Sequence, residues 1–176
     1  MKQIIIASLF IFASVQVISQ HSINFGITYG QRLNYRESVF TRVIGTSIEY
    51  TLPLVSKVDI RVSAGIEGTS LFLHDDGRRR DNYVAIPFRV GIQSYIYEDK
   101  AFLFAESGLT IKSFNFVQPK EIDRKVGLSY ALGAGYRFLI YERKYLQASL
   151  SYNYHPFGDF YKFSWINLRL AYGLKW

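Results

Sequence analysis

The stretch Ile166-Asn167-Leu168-Arg169-Leu170-Ala171-Tyr172-Gly173-Leu174-Lys175-Trp176 alternates between large apolar residues and residues that are polar or small. A period of two is typical of a β-strand whose two faces meet different surroundings. The length suits a strand that crosses a membrane at a tilt, which needs about 9–11 residues. Both charges of the stretch, on Arg169 and Lys175, lie on the same face. The sequence therefore predicts a two-faced strand here.

Seven earlier segments repeat this pattern, and their apolar series begin at Ile23, Ile44, Val58, Val84, Leu103, Leu128 and Leu146. The apolar face carries no charge in any of the eight segments, although 20% of the chain is charged. The opposite face holds Glu49, Asp59, Arg61, Glu67, Arg89, Glu106, Lys112, Arg137, Arg169 and Lys175. Eight such strands predict an all-β fold, an eight-stranded antiparallel up-and-down transmembrane β-barrel with its charges inside.

The alternation by itself also fits a soluble barrel. A secreted lipocalin-like barrel that binds an apolar ligand would turn its apolar face inward, whereas a membrane barrel turns that face to lipid. Two features favour the membrane barrel. Short gaps (Pro53–Lys57, Tyr97–Lys100 and Leu139–Lys144) alternate with longer, more charged ones, as periplasmic turns alternate with extracellular loops. Aromatic residues mark both ends of the apolar face as girdles, with Tyr50, Phe138 and Trp176 at the short-gap ends and Tyr29, Tyr152 and Tyr154 at the other ends.

Residues 1–19 have the pattern of a cleaved signal peptide. Lys2 precedes an apolar run from Ile4 to Ile18, and Val17 and Ser19 occupy the small-residue positions of a cleavage site. We expect export through the Sec pathway and a mature β-barrel domain at residues 20–176. The chain contains no cysteine, so it has no lipid-attachment cysteine, no disulfide framework and no thiolate metal site.

Three short motifs resemble a known family. The strand that contains Leu170, Tyr172, Leu174 and Trp176 is similar to the C-terminal signal that the barrel-insertion machinery reads, with Ala171 where that signal usually has glycine. The segments Tyr83-Val84-Ala85-Ile86-Pro87-Phe88 and Gly133-Ala134-Gly135-Tyr136-Arg137-Phe138 resemble the porin-family, PorT-like outer-membrane β-barrel domains, which are also similar to OmpA and OmpX barrels. The resemblance covers the mature chain. It implies the barrel fold and the outer membrane of a Gram-negative bacterium, and little about activity.

The interior of an eight-stranded barrel is filled by side chains, without a wide channel. We predict a buried ionic network there, formed by Glu49, Arg61, Arg89, Glu106, Arg137 and Arg169. Arg89 and Glu106 are expected to be opposite or diagonal neighbours on adjacent strands, with Arg169 near the same depth, since an unpaired buried charge costs several kcal/mol. Pro87 stands in the middle of a strand and removes one ladder donor, so we expect a local bulge there.

The longer gaps contain many basic residues, among them Arg78, Arg79 and Arg80. One interpretation is a basic outer rim that pairs with lipopolysaccharide phosphates. The other is a solvated loop of mixed charge, because Asp75, Asp76 and Asp81 lie close in sequence. Runs of mixed sign favour the solvated loop.

No motif points to catalysis. A small lipid A-modifying enzyme of this membrane would need a Ser–His–acid set, and no spacing singles one out among His74, His155, Ser70, Ser164 and Asp159. No metal-ligand cluster or phosphate-binding loop is present, so we expect no cofactor. The net charge of +7 would fit nucleic acid, but export argues against that partner. The sequence thus predicts a non-enzymatic, monomeric outer-membrane barrel that contacts lipid and lipopolysaccharide and serves an envelope-structural, adhesion or binding role.

Overall fold

The computed structural model describes residues 21–33, 42–72, 80–115, 122–157 and 161–176. Its strands are β1 (Ser22–Arg32), β2 (Arg42–Val55), β3 (Val58–Phe72), β4 (Arg80–Tyr97), β5 (Ala101–Asn115), β6 (Ile122–Tyr141), β7 (Lys144–Phe157) and β8 (Tyr161–Lys175). Each strand pairs antiparallel with its neighbours in sequence, and β8 closes the barrel on β1. The predicted eight-stranded up-and-down barrel is confirmed. The described residues include no helix long and apolar enough to cross a membrane.

The register of the strands shows that they are tilted. One line of paired residues runs around the barrel through Ser22, Thr51, Arg61, Gly91, Glu106, Ala131, Asn153, Trp165 and Arg32. This line leaves β1 at position 22 and returns to it at position 32, an offset of ten residues. With about 3.3 Å per residue and about 4.8 Å between strands, that offset corresponds to a tilt of roughly 40°.

The three short connections are built alike. In each, the register shifts by one residue just before the turn, between Pro53 and Val55, between Tyr95 and Tyr97, and between Leu139 and Tyr141. Strands β2 and β6 therefore extend further than the sequence predicted, since a bulge residue interrupts the alternation that marks a strand.

The expected bulge at Pro87 is wrong. The pairs Ala64–Phe88 and Glu67–Ala85 flank it in the same register, and the two residues of β3 between these pairs have no partner on β4. On its other side Pro87 stays in register opposite Thr110. The barrel therefore tolerates this proline by losing ladder contacts toward β3, because proline has no N–H to donate.

The apolar face of the sheet points outward. Ile86, Leu132 and Leu170 are 45%, 64% and 53% exposed, whereas Arg89 and Glu106 are each 6% exposed inside the barrel. A soluble lipocalin-like barrel would require the reverse arrangement, so that alternative is wrong. A closed belt of exposed aliphatic side chains of this size would aggregate in water and suits the acyl chains of a bilayer.

Aromatic side chains cluster at both ends of this belt. At the end of the short turns, Tyr50 and Trp176 lie against the ring of His21, with ring centroids 5.9 and 6.4 Å away. At the opposite end Tyr130 stacks with Tyr154 at 6.5 Å. Amphipathic rings at the two interfaces are typical of membrane barrels.

Candidate functional site

The polar face of the sheet fills the barrel interior. Nine of the ten charged residues that the sequence placed on this face are buried, namely Glu49, Asp59, Arg61, Glu67, Arg89, Glu106, Lys112, Arg137 and Arg169. The tenth, Lys175, lies at the short-turn end, where its ammonium group is 3.4 Å from Asp99. The interior is therefore the natural candidate site of the molecule.

Glu49 is the centre of the ionic network. Its Oε2 atom lies 2.7 Å from Nη2 of Arg61 and 2.9 Å from Nη1 of Arg169. Its Oε1 atom accepts hydrogen bonds from the amides of Asn24 (3.1 Å) and Gln147 (3.3 Å). One carboxylate thus serves two guanidinium groups and two amides that come from four other strands, β1, β3, β7 and β8.

A glycine lets Arg61 reach a second carboxylate. Arg61 and Glu106 both pair with Gly91 of β4, one from each side. Because Gly91 has no side chain, Nε of Arg61 crosses the strand and donates to Oε1 of Glu106 at 2.7 Å. The same guanidinium group lies 3.8 Å above the ring of Phe104. Two carboxylates and an aromatic face therefore fix this arginine.

Arg89 is a diagonal neighbour of Glu106, one of the two placements that the sequence predicted. Its strand position lies opposite Gly108, not Glu106. Across that glycine its Nε donates to Ser129 at 3.3 Å, and its Nη2 lies 3.2 Å from Nε2 of His155. In the described structure Arg89 thus contacts Ser129 and His155, whereas Glu106 pairs with Arg61.

Arg137 lies in an aromatic cage at the short-turn end of the interior. Its guanidinium carbon is 5.1, 5.5 and 4.8 Å from the ring centroids of Tyr95, Phe102 and Tyr145. Its Nε donates to Gln147 at 3.1 Å, which connects the cage to Glu49. Cation–π contacts are strongest where water is excluded, and this cage lies in the buried interior near the short turns.

Two inward glycines make room for this aromatic layer. A Cβ atom on Gly135 would lie 2.4 Å from the ring of Phe102, and one on Gly133 would lie 2.5 Å from the ring of Phe104. The rings cover the bare backbone of the neighbouring strand, a known way to stabilise glycine in a sheet. This explains the motif Gly133-Ala134-Gly135 physically.

His155 lies buried between an indole ring and a guanidinium group. Its ring stacks on Trp165 at 4.5 Å, and its Nε2 faces Arg89. No serine hydroxyl or carboxylate hydrogen-bonds it among the described residues, and the buried Ser164 has no such role there. His74 and Asp159 lie outside the described residues. Within those residues no group of His, Asp or Glu could hold a metal ion.

Polar side chains surround a small cavity in the described interior. A cavity of about 50 Å³ lies between Thr28, Glu67, Asn167 and Arg169. This volume accommodates a few water molecules. The described residues therefore form a filled barrel.

We expect the protein to show no steady conductance. Purified protein reconstituted into a planar bilayer should give current traces that match a protein-free bilayer, because the aromatic cage and the ionic network fill the lumen. Single-channel recording checks this, with an open 16-stranded porin as the positive control. A stable large conductance step would contradict the filled interior.

The remaining predicted residues fall at the ends of the barrel. Arg78 and Arg79 lie outside the described residues, and Arg80 begins β4, where it pairs with Phe72. In the last strand Leu170 and Tyr172 face outward and are exposed, Leu174 is half-buried, and Trp176 is exposed at the short-turn end.

Sequence reasoning missed the neutral members of the interior. Gln93, Gln147 and Asn24 lie on the same inward face as the charged residues. Their position in the two-residue alternation could have identified them as interior residues. Phe102 and Phe104 gave no such signal, because β5 is apolar on both faces along that stretch.

The geometry matches solved structures. No protein-family model and no curated protein matches the chain. The fold is similar to Neisserial surface protein A (8% identity, 89% of this chain and 97% of that chain, TM-score 0.63). It is also similar to Ail, the attachment invasion locus protein of Yersinia pestis, in complex with the heparin analogue sucrose octasulfate (17%, 90% and 97%, 0.57). A third similar structure is the outer membrane enzyme PagL (13%, 86% and 98%, 0.53). The chain therefore has the fold of the eight-stranded outer-membrane β-barrels.

Proposed function

We propose that the protein is an integral outer-membrane barrel of a Gram-negative envelope that acts without catalysis, by presenting its extracellular end for adhesion, binding or envelope structure. The observation that carries this proposal is the pairing of an exposed aliphatic belt with a filled, charged interior. A belt of this kind anchors the chain in lipid. A filled interior leaves the parts outside the membrane as the functional surface.

The strands support this proposal because several are longer than a membrane crossing requires. Strand β6 has 20 residues and β4 has 18. At about 3.3 Å per residue and a tilt of roughly 40°, twenty residues rise about 50 Å. The apolar band of such barrels is about 25 Å tall. The surplus length raises part of the sheet above the membrane at the long-loop end.

The similarity to PagL shows that this fold also occurs in an enzyme. The described part of the chain supports a non-enzymatic role, because His155 contacts an arginine and an indole there and no nucleophile. The similarity to Ail, solved with a heparin analogue, supports a binding role for the exposed end.

Lipid contacts and assembly complete the proposal. The exposed Arg42 begins β2 at the long-loop end, where its guanidinium group would meet phosphates of the outer leaflet. The outward residues Leu170 and Tyr172, with Trp176, would form the segment that the insertion machinery reads.

Cell fractionation tests the proposed location. The full-length protein is expected to accumulate in the outer-membrane fraction, and the folded protein should resist SDS and shift in electrophoretic mobility only after boiling. A soluble protein of unchanged mobility, recovered from the periplasm or the medium, would contradict the proposal.

A further inference from the structure

Two of the short connections have nearly the same sequence. The β4–β5 connection contains Ile96-Tyr97-Glu98-Asp99-Lys100, and the β6–β7 connection contains Ile140-Tyr141-Glu142-Arg143-Lys144. They differ at one position, where the β6–β7 connection has Arg143 and the β4–β5 connection has Asp99. The first segment therefore has two carboxylates and one cation, whereas the second has one carboxylate and two cations.

A bulge places the apolar residues of the β6–β7 connection on the outside of the barrel. Ile140 is the extra residue at the register shift between Leu139 and Tyr141, and it is 56% exposed. Tyr141 is 69% exposed and pairs with Lys144, which precedes the outward Leu146 by two residues. Side chains two residues apart on a strand share a face, and so do those of cross-strand partners. Tyr141 and Lys144 therefore both lie on the outer face at the short-turn end.

The β6–β7 connection also carries exposed positive charge. In the β4–β5 connection Lys100 forms an ion pair with Glu98 at 2.5 Å. Arg143 and Lys144 are exposed, and no ion pair joins either of them to a carboxylate of the described residues. Two neighbouring cations repel each other, so an anion between them lowers the electrostatic energy. Arg143 and Lys144 thus form a basic corner that suits an anionic group.

An apolar groove on the outer face begins next to this basic corner. Leu146, the next outward residue of β7, and its partner Tyr172 on β8 both line the groove. The groove continues across the outer faces of β8, β1 and β2 to Ile66 of β3 and has a volume of about 760 Å³. Thr46 and Ala64 contribute short side chains to its floor. The groove therefore leads from the basic corner into the apolar belt.

We propose that the basic corner and the groove together bind one anionic glycerophospholipid of the periplasmic leaflet. Its phosphate lies at Arg143 and Lys144, where a guanidinium and an ammonium group donate charge-assisted hydrogen bonds. One of its acyl chains lies in the groove, against Leu146 and over Ala64. The headgroup lies at the short turns, which face the periplasm in barrels of this kind, so the lipid belongs to the inner of the two leaflets.

Native mass spectrometry tests this proposal. Full-length mature protein is released from nanodiscs that contain equal amounts of dioleoylphosphatidylglycerol and dioleoylphosphatidylcholine, and the retained lipids are counted. Each lysine or arginine near anionic lipid favours binding by about fivefold, so two predict a preference of at least about tenfold for phosphatidylglycerol. We expect the wild-type protein to retain one phosphatidylglycerol molecule with this preference. Arg143→Asp, which gives the β6–β7 connection the sequence of the β4–β5 connection, should abolish the preference.

A charge swap separates the site from the net charge of the protein. The double variant Arg143→Asp with Asp99→Arg has the composition and net charge of the wild type. It moves the arginine to a connection whose strands, β4 and β5, do not line the groove. We expect this variant to lose the selective retention as fully as Arg143→Asp does. General attraction between a basic protein and anionic lipid would instead leave the retention unchanged.

A second pair of variants tests the groove. Ala64→Phe fills its floor and should reduce the retention of phosphatidylglycerol about fivefold. Ala134→Phe makes the same change on the outer face of β6, whose residues do not line the groove, and should leave the retention unchanged. The gel mobility of unboiled protein verifies that every variant is folded.

Three outcomes would overturn the inference: equal retention of the two lipids by the wild type, selective retention by the charge-swap variant, or equal effects of Ala64→Phe and Ala134→Phe. The inference rests on the proposed function, because the outer face must meet lipid. The two fail separately, since a protein that fractionates with the outer membrane and shows heat-modified mobility can still retain both lipids equally.

Discussion

Replacing Glu49 by glutamine is expected to destabilise the folded barrel by about 3–5 kcal/mol, the usual cost of breaking a buried ion pair by removing one partner. The Glu49 side chain is 1% exposed and neutralises the guanidinium groups of Arg61 and Arg169. Glutamine preserves the shape but removes the charge and turns an amide donor toward two other donors. The loss of unfolding free energy is measured by denaturant titration in detergent micelles or liposomes. The folded fraction is read from the gel band of unboiled protein, which migrates differently from the unfolded band.

Two further variants separate charge from shape. Glu98→Gln removes a carboxylate from an ion pair with Lys100 in the turn between β4 and β5, where the Glu98 side chain is 58% exposed. We expect no measurable change there, since exposed pairs are screened by water. The double variant Glu49→Gln with Arg169→Gln should recover part of the loss, because it removes one of the two uncompensated cations. Equal stability of Glu49→Gln and wild type would show that the interior charges are solvated.

Period-two alternation predicted the strands, and together with the gap lengths and aromatic girdles it predicted the membrane barrel, in which a one-residue shift would turn Arg61 or Arg89 toward lipid. The face of each strand is therefore fixed by the cost of burying charge in acyl chains. The same argument placed Glu49, Arg61, Glu106, Arg137 and Arg169 inside the barrel, where the structure also has them. A two-fold periodicity says which face a residue occupies, but not its height along the barrel.

Pairing within the interior depends on that height, which the sequence does not encode in its alternation. Arg89 and Glu106 have the correct face, yet each lies opposite a glycine, Gly108 and Gly91 respectively. The register of β4 and β5 is set by their turn, where a bulge between Tyr95 and Tyr97 inserts one residue that periodicity cannot distinguish from loop. An arginine side chain can reach across a neighbouring strand only where that strand has a glycine, as at Gly91 for Arg61 and at Gly108 for Arg89. Both effects are local backbone properties, and they determine which partners Arg89 and Glu106 contact.

An arginine in the middle of the outer belt should cost far more than one at its edge. Leu150 is the central member of the outward series of β7, which runs from Leu146 to Tyr154, and it is 55% exposed between Ala134 and Leu168. We expect Leu150→Arg to destabilise the barrel by about 2–4 kcal/mol in liposomes, the depth-dependent cost of a cation near the bilayer midplane. Unfolding by guanidinium in liposomes measures this loss of stability.

Val126→Arg is the matched control, because Val126 is equally outward and 66% exposed, but lies on β6 beyond the ring of Tyr130. At that level the guanidinium group reaches headgroup phosphates, so the expected cost is about 0–1 kcal/mol. The difference between the two variants isolates depth in lipid from side-chain size, charge and exposure. In a protein whose outer face met water, both arginines would be solvated and the two stabilities would agree. Equal stabilities would thus contradict the membrane-spanning orientation, whereas a selective loss in Leu150→Arg would place the centre of the belt in the hydrocarbon core.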